Sequence, residues 1–187
     1  MMGAQALLFV GGVRSGKSSL ALRWADAHAG RRLFLATCVL KDAEMAERID
    51  RHRAERGPAW NCLEEGLDPR KALEAHLLSR DTDKPGVILF DCVSMWVANL
   101  LEAGLTSREG MGRIVSFVKY LAGLDIPAAF VSAEAGLGLV PPNPVGRRFQ
   151  DMLGLANQAL ACACGTVVFA ACGLPLLLKG SLPEELC

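Results

Sequence analysis

The stretch that decides the fold is Ala6-Leu7-Leu8-Phe9-Val10-Gly11-Gly12-Val13-Arg14-Ser15-Gly16-Lys17-Ser18. Its first five residues form a short apolar run that stops at two glycines, as a buried parallel strand does. The next eight match G-x-x-x-x-G-K-[ST], the phosphate-binding pattern between a strand and a helix. Glycines there let the backbone N–H groups turn toward a phosphate, and the following helix adds its dipole. We therefore predict a nucleotide site over Gly11, Gly12, Val13, Arg14, Ser15, Gly16, Lys17 and Ser18.

Two side chains of this loop and one later carboxylate have expected roles. Lys17 is expected to reach the β- and γ-phosphates, and Ser18 to hold Mg²⁺. Asp91 ends the apolar run 87–90 and is the expected partner of Ser18 on Mg²⁺, because ligands gather at the carboxyl ends of such strands. The alternative for Asp91 is an acid that only caps the next turn. The chain has no Asn-Lys-x-Asp motif, so the sequence does not indicate which base is bound.

Apolar runs alternate with helical patterns along the rest of the chain. Strands are predicted at 6–10, 33–37, 60–63, 87–91, 128–132 and 166–171, with a possible last strand at 176–179. Helices are predicted at 16–28, 42–56, 69–79, 95–102, 108–124 and from about 147, after a Gly/Pro-rich loop over 136–146. This alternation predicts an α/β fold with a mostly parallel sheet flanked by helices. Without a repeat or a linker, the prediction is a single domain over 1–187.

Composition excludes several classes of protein. The 187 residues carry 20 basic and 20 acidic side chains, which argues against a nucleic-acid binder. The hydrophobic fraction of 51% supports a packed core and excludes a disordered chain. Residues 152–178 contain no charge, but Asn157, Gly165 and Pro175 interrupt them. We therefore predict a helix that ends at Cys164-Gly165 and a buried strand after it, not a membrane span.

The cysteines and the N-terminal residues indicate a cytoplasmic protein. Seven cysteines are an odd number, and none are spaced as C-x-x-C, the spacing that holds zinc. We expect them to be small buried hydrophobic residues in a reducing compartment. The first residues lack the basic flank and the cleavage site of a signal peptide.

His52 is the histidine with a possible chemical role. Four arginines surround it in the predicted helix: Arg48, Arg51, Arg53 and Arg56. An imidazole among arginines stays neutral more readily and can attack phosphorus, while the arginines neutralise the triphosphate. Taken alone, a histidine on a helix is more often structural. The other two histidines lie near predicted helix ends and are expected to be structural: His28 and His76.

Glu134 and an arginine pair are further candidates. Glu134 follows the strand 128–132 and is expected near Asp91, where it could orient a substrate hydroxyl or bind a second Mg²⁺. Its alternative is a solvated loop acid. Arg147 and Arg148 lie at a predicted helix start, where cations are unfavourable, so they suggest an anion partner or simple solvation. The large aromatic residues are expected in the core or an interface: Trp60, Trp96 and Phe149.

Together these residues resemble the bifunctional adenosylcobinamide kinase/adenosylcobinamide-phosphate guanylyltransferases of cobalamin biosynthesis. The similarity covers nearly the whole chain in order. It includes the phosphate loop, Leu-Ala-Thr at 35–37, Asp42-x-Glu44-Met45-x-x-Arg48-Ile49-x-x-His52, Asp91-Cys92-Val93-Ser94-x-Trp96-x-x-Asn99, and the pattern from Glu134 to Gln158. Many kinases share the loop, whereas the strings around His52 and from Glu134 to Gln158 are far more specific.

The resemblance implies two reactions. In the first, the γ-phosphate of ATP or GTP passes to the aminopropanol hydroxyl of adenosylcobinamide. In the second, GTP gives GMP to that phosphate through a guanylyl-histidine, which matches His52 here, and forms adenosylcobinamide-GDP and pyrophosphate. The resemblance also implies a RecA-like P-loop domain that assembles as a homotrimer. Catalytic roles then fall on His52, Lys17 and Glu134, and Arg48 and Arg56 join the nucleotide site.

Two departures and two alternatives accompany this prediction. Ala133 stands where the family usually has Asn, and this difference concerns the kinase reaction or its range of substrates. Arg51 stands where some relatives have a second histidine. The first alternative is a P-loop small-molecule kinase without guanylyl transfer. The second is a nucleotide-dependent switch without catalysis, which nucleotide would stabilise without turnover.

Overall fold

A seven-stranded sheet runs through the computed structural model, which describes residues 6–38, 59–79 and 84–187. Its strands are β1 (Ala6–Gly11), β2 (Arg32–Ala36), β3 (Trp60–Glu64), β4 (Val87–Asp91), β5 (Ala128–Ala133), β6 (Thr166–Ala171) and β7 (Leu174–Lys179). The helices are α1 (Lys17–Asp26), α2 (Pro69–Leu78), α3 (Val93–Glu102), α4 (Ser107–Ala122) and α5 (Pro144–Ala163), with a short 3₁₀ helix at Glu184–Leu186. The predicted α/β architecture is confirmed, and the predicted helix 42–56 lies outside the described residues.

The strand order places three strands with predicted site residues side by side. The order is β3-β2-β4-β5-β1-β6-β7, and every pairing is parallel except that of β7 with β6. Because β5 separates β1 from β4, residues at the carboxyl ends of these three strands share one edge of the sheet. Gly11 pairs with Ala133, and Asp91 pairs with Val131.

Helices cover both faces of the sheet, as the alternation of strand side chains requires. On one face, α1 buries Leu20 and Trp24 against Phe9. On the other face α3, α4 and α5 pack, and four rings contact one another there: Phe90, Trp96, Phe117 and Phe130. Trp60 and Trp96 are buried and Phe149 packs against the core, as predicted.

Helix α5 begins one turn earlier than predicted. Asn143 is its N-cap and accepts a hydrogen bond from the Gly146 N–H at 2.7 Å, and Pro144 occupies the first helical position. An Asn-Pro pair is a typical helix start, so the signal was present inside the stretch interpreted as a loop. The uncharged stretch 152–178 divides into the end of α5, then β6 and β7. No helix among the described residues is long and apolar enough to cross a membrane.

The last two strands form a hairpin. Cys172 and Gly173 have φ values of 54° and 79°, the positive pair that a tight type I′ turn requires. The ammonium of Lys179 then donates to the carbonyls of Ala161, Cys162 and Cys164 at 2.8, 3.2 and 2.7 Å. These carbonyls lie at the end of α5, where a cation is favourable, so Lys179 joins the edge strand to that helix.

The cysteines differ from the expectation that they are buried. Cys164 is 1% exposed, and burial raises the pKa of its thiol to about 12. Four others are exposed: Cys62, Cys162, Cys172 and Cys187. Apolar neighbours in the sequence do not bury a residue when the strand or helix end that carries it faces outward.

We predict that Cys162 and Cys164 differ in reactivity although only one residue separates them. In the native protein at pH 8, Cys162→Ser should remove one fast-reacting thiol in an absorbance assay with an aromatic disulfide reagent. Cys164→Ser should leave the number of fast-reacting thiols unchanged, because at pH 8 only about one in ten thousand molecules has a thiol of that pKa in its ionised form. Loss of a fast thiol in Cys164→Ser would contradict the burial of Cys164.

Candidate functional site

The phosphate loop lies between β1 and α1 and depends on its glycines. A Cβ on Gly11 would lie 2.5 Å from the carbonyl oxygen of Ala170 and 2.5 Å from Oγ of Ser15. Gly16 has a φ of 92° and would place a Cβ 2.8 Å from Cα of Gly173. Nonglycine residues rarely adopt that φ. Both positions therefore require glycine, for space at Gly11 and for space and conformation at Gly16.

The turn between β6 and β7 holds this loop from the side. The N–H of Gly173 donates to the carbonyl of Ser15 at 2.9 Å. The sequence interpretation assigned Gly173 no role. A Cys-Gly pair directly after an apolar run was the available signal for a tight turn, but nothing in the sequence indicated what that turn contacts.

Polar groups in the loop suit a bound phosphate. Oγ of Ser15 is buried, and no hydrogen-bond partner reaches it within the described parts of the chain. Nζ of Lys17 donates to the carbonyl of Gly12 at 3.0 Å, so the lysine is already folded over the loop. A buried hydroxyl without a partner, a folded lysine and a helix N-terminus together form a cradle that fits an anion.

Asp91 lies at the same edge as the loop lysine. Burial and the Asp91 carboxylate raise the pKa of the Cys92 thiol to about 11, while Ser94, Met95 and the Lys17 ammonium lower it by less. The pKa of this one thiol therefore depends on both the strand-end carboxylate and the loop lysine. The half-buried Asp91 and Ser18 supply the oxygen donors that Mg²⁺ prefers.

A Mg²⁺ ion at this edge would need oxygens from the nucleotide and from water. Among residues 6–38, 59–79 and 84–187, no group of three or more His, Cys, Asp or Glu side chains could hold a metal. Mg²⁺ commonly binds through one or two protein ligands and substrate phosphates. The donors present, a hydroxyl and a carboxylate, therefore fit Mg²⁺ with a nucleotide and do not form a site for the metal alone.

Glu134 lies between the loop and Asp91, at the end of the intervening strand. Its N–H donates to the carbonyl of Gly11 at 3.1 Å, and its carboxylate accepts a hydrogen bond from the N–H of Gly136. The side chain is half-buried. The structure thus brings Lys17, Ser18, Asp91 and Glu134 to one edge of the sheet.

A second hydrogen-bond network near Asp91 was missed by the sequence interpretation. The Thr37 hydroxyl donates to the Cys92 carbonyl at 2.7 Å and accepts from the Cys92 N–H at 3.1 Å. The buried amide of Asn99 donates to the carbonyls of Thr37 and Gly66 at 2.7 and 3.1 Å. Thr37 thereby joins the ends of β2 and β4, and Asn99 joins the segments that follow β2 and β3. The sequence interpretation quoted both residues for the family resemblance but gave neither a role.

The arginine pair has local partners that explain its position. Because α5 begins at Pro144, Arg147 and Arg148 follow its first turn, where the terminal dipole effect has fallen off. Arg147 donates to the carbonyls of Pro141 and Pro142 at 3.0 and 2.9 Å, and Arg148 donates to that of Leu105 at 3.5 Å. These bonds account for the pair without the suggested anion.

The predicted nucleophile and its arginines are not located by the structure. His52, Arg48 and Arg56 lie outside the described residues, so their roles stay predictions. His28 follows α1, and its Nδ1 lies 3.1 Å from the carbonyl of Trp24. His76 lies in the last turn of α2, so both positions agree with the structural role expected for these histidines.

Comparisons with known proteins agree with this geometry. Residues 7–178 match the family model described as cobinamide kinase / cobinamide phosphate guanyltransferase. The chain is 39% identical over 173 residues to the bifunctional adenosylcobalamin biosynthesis protein CobP of Pseudomonas aeruginosa, covering 92% of the chain and 96% of that protein. It is 32% identical over 190 residues to the bifunctional adenosylcobalamin biosynthesis protein CobU of Escherichia coli, covering 92% and 99%.

A solved structure supports the fold. An ATPase from the type III secretion system of pathogenic bacteria aligns with 98% of this chain and 60% of its own, with a TM-score of 0.51 and 15% identity. At that identity the likeness concerns the fold alone. It agrees with the RecA-like P-loop fold expected from the sequence.

We predict opposite outcomes for two adjacent glycines of the loop. Gly11→Ala should lower the free energy of unfolding by about 1–3 kcal/mol, because its Cβ would meet a backbone carbonyl. Gly12→Ala should change it by less than about 0.5 kcal/mol, since nothing lies within 4 Å of its Cβ. Urea denaturation measures both, and equal losses would contradict the packing described at Gly11.

Proposed function

Because the chain belongs to the cobinamide kinase / cobinamide phosphate guanyltransferase family, we propose that it performs both reactions at one edge of its sheet. It is a bifunctional enzyme of adenosylcobalamin biosynthesis, a cobinamide kinase and a cobinamide phosphate guanylyltransferase. The observation that carries the assignment of the site is the glycine cradle with Lys17 folded over it. Its corrinoid substrates are adenosylcobinamide and adenosylcobinamide phosphate.

In the kinase step, the aminopropanol hydroxyl of the corrinoid attacks the γ-phosphorus of ATP or GTP. The bond between that phosphorus and the β,γ-bridging oxygen breaks, and the nucleoside diphosphate leaves. Glu134 takes the proton of the hydroxyl, and Lys17 and the loop N–H groups hold the phosphate oxygens. Ser18 and Asp91 would hold Mg²⁺, which would neutralise charge on the phosphates.

In the guanylyl step, the neutral imidazole of His52 attacks the α-phosphorus of GTP and pyrophosphate leaves. An oxygen of adenosylcobinamide phosphate then attacks the same phosphorus. The P–N bond breaks, its electrons return to the imidazole, and adenosylcobinamide-GDP forms. Arg48 and Arg56 pair with the triphosphate. The covalent intermediate divides one difficult exchange into two in-line displacements.

The proposal is tested by incubating the protein with Mg²⁺ and GTP labelled at the α-phosphate, followed by denaturation. We expect label on the protein that acid removes and alkali does not, as for a phosphoramidate. His52→Ala should reduce it at least about 100-fold, because a nucleophile is lost. His76→Ala, a histidine of α2, should keep full labelling.

Other outcomes of the labelling would identify the alternatives. Label retained by His52→Ala would overturn the assignment of the nucleophile. No label on the native protein, with γ-phosphate still passed to the corrinoid, would identify a plain kinase. Stabilisation by nucleotide without either transfer would identify a switch protein.

We also propose that the chain forms a homotrimer, the assembly implied by the family resemblance. The edge strand β7 supports a contact between copies. Its alternate residues Leu174, Leu176 and Leu178 are 69%, 58% and 61% exposed, and its lysine is engaged with α5. An apolar edge strand with open backbone groups favours association with another chain.

Leu176→Asp should convert the assembly to monomers, because a carboxylate would be buried at the contact. Light scattering coupled to size exclusion measures the mass. Leu78→Asp is the matched control, since Leu78 is 77% exposed at the end of α2, away from β7, and should leave the trimer intact. A trimer that survives Leu176→Asp would exclude β7 as the contact.

Two further properties belong to the proposal. The chain acts as a single domain over 1–187. In support, the described residues form one sheet whose strands run from residue 6 to residue 179. It acts in the cytoplasm, where ATP and GTP are available to both reactions, and it binds no nucleic acid, in keeping with its zero net charge.

A further inference from the structure

Side chains of α5 hold the backbone on both sides of Glu134. On the N-terminal side, the Asn157 amide donates to the Ala133 carbonyl at 3.1 Å and accepts from the Ser132 hydroxyl. On the C-terminal side, the Gln150 amide donates to the carbonyl of Ala135. The residues before and after Glu134 are thus both anchored to one helix.

The two amides are well placed to act together. Gln150 and Asn157 are seven residues apart, which is about two helical turns, so they lie on the same side of α5. The N–H of Glu134 bonds to Gly11, the first glycine of the phosphate loop. Five consecutive residues, 132–136, therefore each take part in a hydrogen bond that limits how this strand end can move.

The chemistry of Asn157 is specific to an amide. Its oxygen accepts from Ser132 and its nitrogen donates to Ala133. A carboxylate in its place would set an oxygen against a carbonyl oxygen, and an aliphatic side chain would make neither bond.

We infer that Asn157 and Gln150 are positioning residues of the kinase reaction, because they hold the backbone that carries the Glu134 carboxylate beside the phosphate loop. This inference rests on the proposed role of Glu134 as the group that takes the proton of the substrate hydroxyl. A base that is free to shift by about 1 Å loses on the order of 100-fold in rate. Fixing the backbone on both sides prevents that shift.

The test is a double-mutant cycle between Asn157→Leu and Glu134→Gln. The measured quantities are the kcat and KM for transfer of γ-phosphate to adenosylcobinamide, together with protein labelling from α-labelled GTP. Glu134→Gln should lower the kinase kcat about 100-fold. Asn157→Leu should lower it about 10-fold or more without changing the KM for ATP, and should leave the labelling unchanged.

Combining the two substitutions should cost no more than Glu134→Gln alone, because without the base there is nothing left to position. Gln150→Leu, which removes one bond, should show the same pattern with a smaller loss. Leu155→Ala, at an exposed position of α5, is the matched control and should keep both activities. If Asn157→Leu does not fold, Gln150→Leu takes its place in the cycle with Glu134→Gln.

The other outcomes separate the failure of this inference from the failure of the proposed function. Additive losses in the cycle, or equal losses of kinase activity and guanylyl labelling, would reduce Asn157 and Gln150 to a purely structural role. A normal kinase rate in Asn157→Leu and Gln150→Leu would also overturn the inference. A normal rate in Glu134→Gln would instead refute the role proposed for Glu134.

Discussion

The close contact between the phosphate loop and the turn from β6 to β7 is the constraint on which the site depends. Gly16 leaves no room for a side chain against Gly173, and the Gly173 N–H bonds to Ser15. Because backbone meets backbone at this point, the loop cannot shift without moving the neighbouring hairpin. Lys179 anchors that hairpin to the end of α5. The loop is therefore held from its side as well as by β1 and α1.

The order of the strands then determines where the carboxylates of the site lie. Parallel strands bring their carboxyl ends to one edge, and β5 lies between β1 and β4. Adjacent strands are about 4.8 Å apart, so Asp91 ends a strand that lies about 10 Å from the loop strand, and Glu134 directly follows the strand between them. A carboxylate in that middle position is the nearer of the two to the loop, and Asp91 is the one that we propose for the metal. The different roles proposed for the two carboxylates thus follow from the order of the strands.

The sequence was sufficient for the features that depend on local chemistry. The loop, most strands and helices and the edge shared by Lys17, Asp91 and Glu134 were predicted, since each rests on a local pattern and on parallel pairing. Contacts between distant segments were not predicted, such as those of Asn157 with Ser132 or Gly173 with Ser15, because no local pattern encodes them. The prediction that the cysteines are buried was wrong for a related reason, because the exposure of a side chain depends on where its strand or helix ends in space.

The charge balance of the chain shows how it can bind a polyanion. With 20 basic and 20 acidic residues, the chain has no net charge that would attract a triphosphate, so binding must come from groups aimed at it. At the loop these groups are the oriented N–H groups, a helix terminus and Lys17, and Arg48 and Arg56 are the further cations that we propose for the triphosphate. Such groups recognise phosphate oxygens and not the base, so one loop suits ATP as well as GTP. Discrimination between the two nucleotides must then come from residues that contact the base, and the choice of reaction depends on which phosphorus a nucleophile can reach.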